Sequence, residues 1–368
     1  MKILIITNHS YMLYRFRRDL IRRLMAEHEV VLSMPFVGHE EDFKAMGLRC
    51  IDTAVDRRGI NPKTDGKLFL TYRSLLKQER PDLVITYSIK PNIYGGLACS
   101  LAGVPFCANV QGLGTAFQRR GLALLVTGLY RAALRRAKTV FFENRGNARE
   151  FLDRRIIGAD KAVVLSGAGI DLEAYACRPY PEHDRVRFLY LGRIMKEKGI
   201  DELFSAVRRL HGELGSRVVL DLVGFFDDDY EAQVKALEAD GIAVFHGFQT
   251  EPRPYYAEAD CVVLPSYHEG MSNVLLEAAA TGRPVITSRI PGCMEAVAEN
   301  ESGLLCEPKN ADSLYEAMAR FMTLSREQRS AMGHAGRAHM EAMFDKKKVV
   351  AQTLRALGLD ADECGSNT

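Results

Sequence analysis

Short, continuously apolar segments alternate with longer amphipathic segments along the whole chain. Such short segments are typical of strands that are buried on both faces of a parallel sheet. The predicted strands of the first half are Lys2–Thr7, Val30–Ser33, Leu83–Thr86, Phe106–Val110, Thr139–Phe142 and Ala162–Leu165. Those of the second half are Arg187–Leu191, Val218–Val223, Ile242–Phe245, Cys261–Leu264, Pro284–Thr287 and Gly303–Cys306. The alternation predicts repeated strand–helix units in both halves.

The first amphipathic segment has the spacing of a helix. Its apolar residues recur at intervals of three or four, which places them on one helical face. The predicted face comprises Leu13, Phe16, Leu20, Ile21 and Leu24.

A polar segment with two prolines, Tyr175–Asp184, separates the halves and is typical of a linker. We therefore predict an α/β protein of two doubly wound, Rossmann-like domains, residues 1–178 and 179–344, facing each other across a cleft. Residues 345–368 are expected to form a C-terminal helix that crosses back to the first domain, followed by a frayed tail. Ligands of such sheets bind outside the carboxyl ends of the strands, so the loops there are the candidate sites.

Charge is unevenly distributed, although the net charge is only +2. Residues 1–180 hold 28 Lys and Arg against 17 Asp and Glu, whereas residues 181–368 hold 21 against 30. A basic half attracts anionic partners: a phosphate-bearing molecule, a membrane surface or nucleic acid. A basic face that is merely solvated is the alternative.

The eight cysteines are scattered and form no C-x-x-C pair. We interpret them as small buried hydrophobic residues in a reducing compartment, not as disulfides or zinc ligands. No apolar run reaches the roughly eighteen residues of a membrane-spanning helix. A cytoplasmic location is expected.

Two loops carry candidate chemistry. The segment that contains Gly192, Arg193 and Lys198 follows a predicted strand and precedes a helix. A forked guanidinium and a mobile ammonium are suited to hold a diphosphate, although an isolated pair of this kind is more often a solvated surface feature.

The second segment runs from strand through loop to helix, so the N–H groups and positive end of a helix lie at the edge of the sheet. Glu269 lies in this loop. Glu277 is expected about two turns into the helix, on the side of Asn273. A carboxylate there can accept hydrogen bonds from both hydroxyls of a ribose; an exposed helical glutamate is the alternative.

Together these segments resemble the retaining GT-B glycosyltransferases of family 4. Glu269 and Glu277 match the family's E-x7-E signature, and Arg193 with Lys198 matches its arginine–lysine pair. The flanking sequences that also match are Pro265-Ser266, Asn273–Ala278 and Gly282–Ile286.

The resemblance implies a hexosyltransferase that takes a hexose or N-acetylhexosamine from a UDP-sugar. Arg193 and Lys198 would bind the donor diphosphate, and Glu277 the ribose. Glu269 and the amides of Gly270 to Asn273 would hold the transferred sugar, so Arg193, Lys198 and Glu269 are the expected catalytic residues. The expected donor-binding residues are Gly192, Gly224, Gly270, Met271, Ser272, Asn273, Val274 and Glu277.

The first half departs from the family pattern in two places. The loop after the first strand lacks the glycine-rich turn, and the usual mid-domain histidine is not evident. Gln111 is a candidate to replace that histidine as a neutral donor toward the sugar. Short patterns here resemble the subgroup that builds capsule, O-antigen or glycan chains on polyprenyl diphosphate, including N-acetylgalactosaminyltransferases that act on lipid-linked diacetylbacillosamine. The candidate acceptor-binding residues are His9, Tyr14, Arg17, Lys90, Asn92, Gln111, Gly112 and Gly114.

Two basic clusters agree with a polyprenyl-diphosphate-linked acceptor. They comprise Arg15, Arg17, Arg18, Arg22 and Arg23, and Arg119, Arg120, Arg131, Arg135, Arg136 and Lys138. The second cluster flanks an apolar helix whose Leu124, Leu125 and Tyr130 are expected to touch a membrane. We therefore expect peripheral binding to the anionic inner face of the plasma membrane. An ordinary α/β helix with solvated arginines is the alternative.

The family picture of the reaction needs no metal and no other cofactor. Cationic side chains and helix ends neutralise the leaving diphosphate, and the acceptor hydroxyl attacks on the same face of the sugar. One alternative is a nucleotide-sugar epimerase of GT-B-like fold, and another is a glycosyltransferase with a soluble acceptor.

Two further classes fit less well. A dinucleotide dehydrogenase would need a third glycine where Phe117 or Leu172 stands. A nucleic-acid binder would need a recognition motif or an aromatic platform, which we do not find, so no nucleic-acid partner is expected.

Overall fold

The computed structural model describes residues 1–56, 61–114, 117 and 120–360, which divide into two compact units. The first unit comprises Met1–Ala168 and the chain from Lys348 onward, and the second comprises Gly169–Lys347. Each unit contains one parallel sheet that is covered by helices. This architecture confirms the predicted α/β class.

The structure divides the chain after Ala168, well before the predicted boundary at residue 178. The residues between these two positions bond to the second unit. The Ile170 N–H donates to the Phe344 carbonyl at 2.7 Å. The Arg178 N–H donates to the Thr281 carbonyl at 3.0 Å. The two prolines therefore lie in a segment that already packs on the second unit, and the division between the units lies before it, after Ala168.

The strands of the first unit are β1 (Lys2–Ile6), β2 (Glu29–Met34), β3 (Arg49–Asp52), β4 (Leu83–Tyr87), β5 (Phe106–Val110), β6 (Thr139–Phe142) and β7 (Ala162–Val164). Within the described residues they form a seven-stranded sheet in the order β3-β2-β1-β4-β5-β6-β7. β3 is the strand that the pattern does not predict. Its side chains are only half-buried or exposed, so it lacks an apolar run.

The helices of the first unit are α1 (Ser10–Met25), α2 (Glu40–Ala45), α3 (Pro62–Glu79), α4 (Gly96–Ala102), α5 (Arg120–Leu134) and α6 (Arg145–Asp153). They cover both faces of the sheet, and each face has its own apolar core. Leu4 lies in one core and its neighbour Ile3 in the other. β1 is therefore buried on both faces, as its continuous apolar sequence predicts.

Helix α1 buries most of the predicted face but not all of it. The buried predicted residues are Leu13, Leu20, Ile21 and Leu24. Phe16 is only partly buried, whereas Arg17 is 4% exposed. A charged side chain thus occupies the buried face beside the leucines, which apolar spacing alone does not predict.

A C-terminal helix, α13 (Lys346–Leu357), packs on the first unit. Val349, Leu354 and Leu357 lie in the same core as Ile3. Lys138 Nζ donates to the Leu357 carbonyl at 3.1 Å, at the end of the helix. The last described helix thus belongs to the first unit. The predicted frayed tail lies largely outside the described residues.

The second unit repeats the design around one large apolar core. Its strands are β8 (Val186–Leu191), β9 (Val218–Val223), β10 (Ala243–Phe245), β11 (Cys261–Leu264), β12 (Val285–Ser288) and β13 (Gly303–Cys306). Its helices are α7 (Ile200–Leu214), α8 (Glu231–Ala239), α9 (Arg253–Glu258), α10 (Asn273–Ala280), α11 (Ala311–Thr323) and α12 (Arg326–Met343). The described strands are parallel, in the order β10-β9-β8-β11-β12-β13.

Both sheets change winding direction at one point, between β1 and β4 and between β8 and β11. Loops diverge at the carboxyl ends of such neighbouring strands and leave a crevice for ligands. Residues 192–199 follow β8, and residues 265–272 follow β11. Both sequence motifs of the second half therefore lie at its switch point.

Candidate active site

Two glycines bring the ends of β8 and β9 into backbone contact. The Gly192 N–H donates to the Val223 carbonyl at 2.9 Å. A Cβ on Gly224 would lie 1.8 Å from the Gly192 carbonyl oxygen, and Gly224 has a φ of +154°. Only glycine fits such an approach. The contact fixes the start of the loop that carries Arg193.

The two switch-point loops are tied to each other. A Cβ on Gly199 would lie 2.1 Å from the Pro265 carbonyl oxygen. The Tyr267 N–H donates to the Glu197 carbonyl at 2.9 Å. The Tyr267 hydroxyl also donates to Glu202 on α7, at 2.7 and 2.8 Å from its two oxygens. These bonds hold the side chains of the two loops in a fixed relation.

Lys198 and Glu269, one from each loop, form an ion pair. Lys198 Nζ lies 2.5 Å from Glu269 Oε1, and Ser266 Oγ donates to the same oxygen at 2.8 Å. The two side chains are 18% and 13% exposed. The structure thus brings together two of the three expected catalytic residues at the carboxyl edge of the sheet.

Arg193, the third, pairs with a different carboxylate. Its Nη1 lies 2.7 Å from Asp227 Oδ2, and its side chain is 47% exposed. The Lys196 N–H donates to the adjacent Asp228 at 2.8 Å. Asp227 was not predicted from the sequence. Its signal was the acidic run Asp227–Asp229 just beyond Gly224, at the end of the strand beside β8.

Helix α10 offers fewer binding amides than the resemblance implies. The Ser272 N–H donates to the Gly292 carbonyl at 3.0 Å, so this amide is engaged within the protein, and the role of Ser272 in holding the sugar stays a prediction. Met271 is buried. The N–H groups of Asn273 and Val274 open the helix, where no intrahelical acceptor exists, so they stay candidates.

Glu277 lies one turn into α10, not two, because the helix begins at Asn273. It is 5% exposed, which excludes the exposed-glutamate alternative. The Tyr256 hydroxyl donates to Glu277 Oε2 at 2.9 Å.

In the first unit, polar side chains collect where β4, β5 and β6 end. Gln111 Oε1 accepts from Ser88 Oγ at 3.3 Å, and Gln111 Nε2 donates to Met12 Sδ at 3.1 Å. Ser88 has a φ of +77°, a strained conformation for a residue with a side chain. Gln111 is thus held by protein contacts on both sides of its amide.

Glu143 is a second residue that the sequence analysis missed. It follows β6, and Arg17 Nη2 lies 2.5 Å from its Oε1. Burial raises the pKa of Glu143, and the Arg17 guanidinium opposes that rise. Arg17 is nearly inaccessible. Arg17 is therefore a buried partner of Glu143, and its side chain is not exposed for the expected direct contact with an acceptor.

Asn92 is also unavailable to an acceptor. It is fully buried, its Oδ1 accepts from Thr86 Oγ1 at 2.6 Å, and its Nδ2 donates to the Asn109 carbonyl at 2.8 Å. Lys90 is paired with Asp65 at 2.8 Å. The Asn92 prediction is wrong because this amide links β4 to β5.

The remaining acceptor candidates lie in the loops and first turns. His9 is the N-cap residue of α1. The Tyr14 ring stacks on His39, with centroids 4.4 Å apart. Gly112 is partly buried, and Gly114 has a φ of +67° with Ile89 Cδ1 2.9 Å from where a Cβ would be. His9 and Gly112 lie at the same sheet edge as Gln111.

The second basic cluster is largely engaged with backbone carbonyls. Arg131, Arg136 and Lys138 donate to the carbonyls of Arg154, Ser100 and Leu357, respectively, at 2.7, 2.9 and 3.1 Å. Arg119 and the Arg120 side chain lie outside the described residues.

On α5, Leu124 and Leu125 are 72% and 51% exposed. Tyr130 is 1% exposed, so its expected membrane contact is wrong. No described helix is long and apolar enough to cross a membrane.

Two Rossmann-like units, each built on one parallel sheet, are the architecture of the GT-B class of glycosyltransferases. Residues 15–174 match the family described as Glycosyltransferase Family 4, and residues 179–339 match Glycosyl transferases group 1. The chain belongs to these glycosyltransferases and is a hexosyltransferase. Within the described residues, no cluster of three or more metal-ligating side chains occurs.

Three similar proteins match most or nearly all of the chain. The N,N'-diacetylbacillosaminyl-diphospho-undecaprenol alpha-1,3-N-acetylgalactosaminyltransferase of Campylobacter jejuni is 25% identical and covers 96% of both chains. The capsular polysaccharide biosynthesis glycosyltransferase CapM of Staphylococcus aureus is 24% identical over 77% of this chain and 80% of its own length. The structure of Anabaena HepE in complex with UDP and glucose has a TM-score of 0.80 at 17% identity, covering 97% of this chain and 99% of HepE.

Proposed function

We propose that this protein is a retaining glycosyltransferase. It moves a hexose or N-acetylhexosamine from a UDP-sugar to a polyprenyl-diphosphate-linked glycan during surface-polysaccharide or glycoprotein-glycan assembly. One observation carries the proposal: Lys198 and Glu269 meet at the switch point of the second unit, beside the N-terminus of α10.

The chemistry of this edge matches the donor. Lys198 and Arg193 supply positive charge for a diphosphate, and the first amides of α10 add donors. The buried carboxylate of Glu277 is an acceptor for ribose hydroxyls. The HepE complexes with UDP support the choice of uridine as the base.

Transfer with retention proceeds without a protein nucleophile. The acceptor hydroxyl attacks the anomeric carbon on the face that the diphosphate leaves. The bond between sugar and diphosphate breaks as the glycosidic bond forms, and a diphosphate oxygen takes the hydroxyl proton. Lys198 and Arg193 stabilise the charge that develops on the leaving group, and Glu269 orients the sugar.

The acceptor proposal rests on relatives and on charge. The similar Campylobacter enzyme is named for a diphospho-undecaprenol acceptor, and the first half of this chain is basic. Exposed Leu124 and Leu125 on α5 provide an apolar contact for a membrane surface. The protein would then work on the cytoplasmic face of the plasma membrane, as a peripheral protein.

A matched substrate screen tests the proposal. Purified protein is incubated with UDP- and GDP-sugars and with the same glycan on polyprenyl diphosphate or on a soluble tag. We expect product from a UDP-sugar and the lipid-linked glycan, with the donor's anomeric configuration retained by NMR. An inverted product would contradict the mechanism, and equal kcat/KM for both glycans would favour a soluble acceptor. Isomerised nucleotide-sugar without acceptor would identify an epimerase.

A further inference from the structure

A buried tyrosine contacts the carboxylate assigned to the donor ribose. Tyr256, on α9, is fully buried, and its hydroxyl donates to Glu277 Oε2 at 2.9 Å. Because the Tyr256 hydroxyl is held at one oxygen of the carboxylate, it restricts rotation of the Glu277 carboxylate. An ionised carboxylate offers about four acceptor positions, so this bond is compatible with hydrogen bonds from a ligand to the same group.

The tyrosine is anchored by an arginine that is also fully buried. Arg283 Nε donates to the Tyr256 carbonyl at 2.9 Å. The other guanidinium N–H groups donate to the carbonyls of Arg178, Pro179, Ala257 and Gly282. Because this cation is satisfied by backbone carbonyls, the position of Tyr256 does not depend on a bound ligand.

The backbone of Glu277 is held within its own helix, and the Tyr256 ring is packed from a further residue. Thr281 Oγ1 donates to the Glu277 carbonyl at 2.8 Å, near the end of α10. Tyr175 packs edge-on against the Tyr256 ring, with centroids 6.2 Å apart. Helices α9 and α10, which are separated in the chain by β11, thus meet at a hydroxyl–carboxylate bond whose two residues are each held by further contacts.

We infer that Tyr256 is a positioning residue for nucleotide-sugar binding. It fixes the Glu277 carboxylate in the orientation that accepts both ribose hydroxyls, and it does not touch the donor. The inference rests on the proposed function, since it requires Glu277 to bind the ribose. If so, the preference of the enzyme for ribonucleotide over deoxyribonucleotide donors depends in part on Tyr256, a residue outside the family's E-x7-E signature.

The test compares Tyr256→Phe with Tyr255→Phe, a matched control on the same helix whose ring faces His246. Losing a hydrogen bond to a charged group weakens binding about tenfold. We therefore expect Tyr256→Phe to raise the donor KM about tenfold with little change in kcat. Tyr255→Phe should stay within about twofold of wild type in both constants.

Two readouts separate positioning from a purely structural role. First, the wild-type preference for a ribose donor over its 2′-deoxy analogue should shrink in Tyr256→Phe. Second, adding Glu277→Gln to Tyr256→Phe should raise the KM less than it does in wild type, since the two act on one contact.

The outcomes distinguish this inference from the proposed function. If Glu277→Gln alone leaves the donor KM unchanged, the ribose assignment fails. If Glu277→Gln raises KM but Tyr256→Phe does not, Tyr256 has no positioning role. A lower melting temperature of Tyr256→Phe with unchanged deoxy-donor discrimination also overturns the inference.

Discussion

Each cation of the donor edge is already paired with a carboxylate, but the two pairs differ in exposure. Lys198 and Glu269 are mostly buried, whereas Arg193 is nearly half exposed beside Asp227. Exposed ion pairs contribute only about 0–1 kcal/mol, so a diphosphate can displace Asp227 from Arg193 at little cost. Lys198, in contrast, is held in place for the donor by a partner from the other loop.

Removing either cation tests these roles. Arg193→Ala and Lys198→Ala should each lower kcat/KM by about 10²–10³-fold, because charge on the leaving diphosphate is no longer stabilised. Circular dichroism and thermal melting should show an intact fold. Arg209→Ala, an exposed arginine that lies over Tyr315, is the matched control and should retain wild-type kinetics. Wild-type kinetics in both Arg193→Ala and Lys198→Ala would contradict the assignment of these two cations to the donor diphosphate.

Residue type did not reveal which polar side chains are buried. Asn92 and Arg17 look in sequence like surface groups, yet the structure uses them inside the first unit. Glu143 follows an apolar strand and has no sequence feature that marks it as functional. The strand order places it at the same sheet edge as Gln111. Burial of a polar group depends on a partner from another element, which spacing along one segment cannot show.

At the scale of elements, the crossing of Gly192 and Gly224 sets the geometry of the first donor loop. A side chain at Gly224 would collide with a backbone carbonyl at 1.8 Å. Backbone atoms cannot move aside as a flexible side chain can. The ends of β8 and β9 would have to separate, and Arg193 and Asp227 are attached directly beyond those ends.

Gly224→Ala should therefore destabilise the second unit by about 2 kcal/mol or more and weaken donor binding. The control is Gly212→Ala, because Gly212 lies in helix α7 and a Cβ added there would meet open space. This control should stabilise the helix by about 0.5–1 kcal/mol. Urea unfolding and calorimetric titration with UDP measure both effects. Equal stability of the two variants would contradict the steric argument.

The strands were the most predictable elements, because burial on both faces leaves an unbroken apolar run. Each predicted strand needed no more than a one-residue adjustment at either end, as with Lys2–Thr7, which ends at Ile6. β3 was not predicted, because it is the edge strand of its sheet and its side chains are half-buried or exposed, which leaves no apolar run. Strand order was not predictable from apolar spacing, yet that order places the two donor loops side by side.

At the scale of the molecule, the last helix among the described residues returns the chain to its first unit. α13 contributes Leu354, 4% exposed, to the core that contains Ile3 and Ile85. Leu354→Ala should cost about 2–5 kcal/mol of stability in the first unit. Its exposed neighbour makes a matched control, and Arg355→Ala should change stability by less than about 0.5 kcal/mol. Urea unfolding followed by hydrogen exchange would assign the loss, and an unchanged first unit would refute the prediction.

Charge is the other property that belongs to the whole chain. The first half is strongly basic and the second acidic, so a membrane with anionic lipids attracts one half and repels the other. The structure shows which of the residues expected to contact a membrane are exposed. Arg17 and Tyr130 are buried, whereas Leu124, Leu125 and Arg135 remain exposed on or beside α5. Each basic residue near an anionic membrane contributes about 1 kcal/mol of attraction. One such residue binds weakly, but several together are sufficient for reversible membrane binding.

We therefore expect the protein to sediment with vesicles that contain phosphatidylglycerol at low salt and to be released at high salt, because ions screen this attraction. Leu124→Glu combined with Arg135→Glu should reduce binding at least tenfold, since it removes apolar contact and reverses a charge on one surface. Arg208→Glu, an exposed change of the same sign in the acidic half, should bind as wild type does. Both variants should retain donor binding. Wild-type protein that ignores anionic vesicles at low salt would remove the membrane from the proposal, and the charge asymmetry would then point to the acceptor's own phosphates.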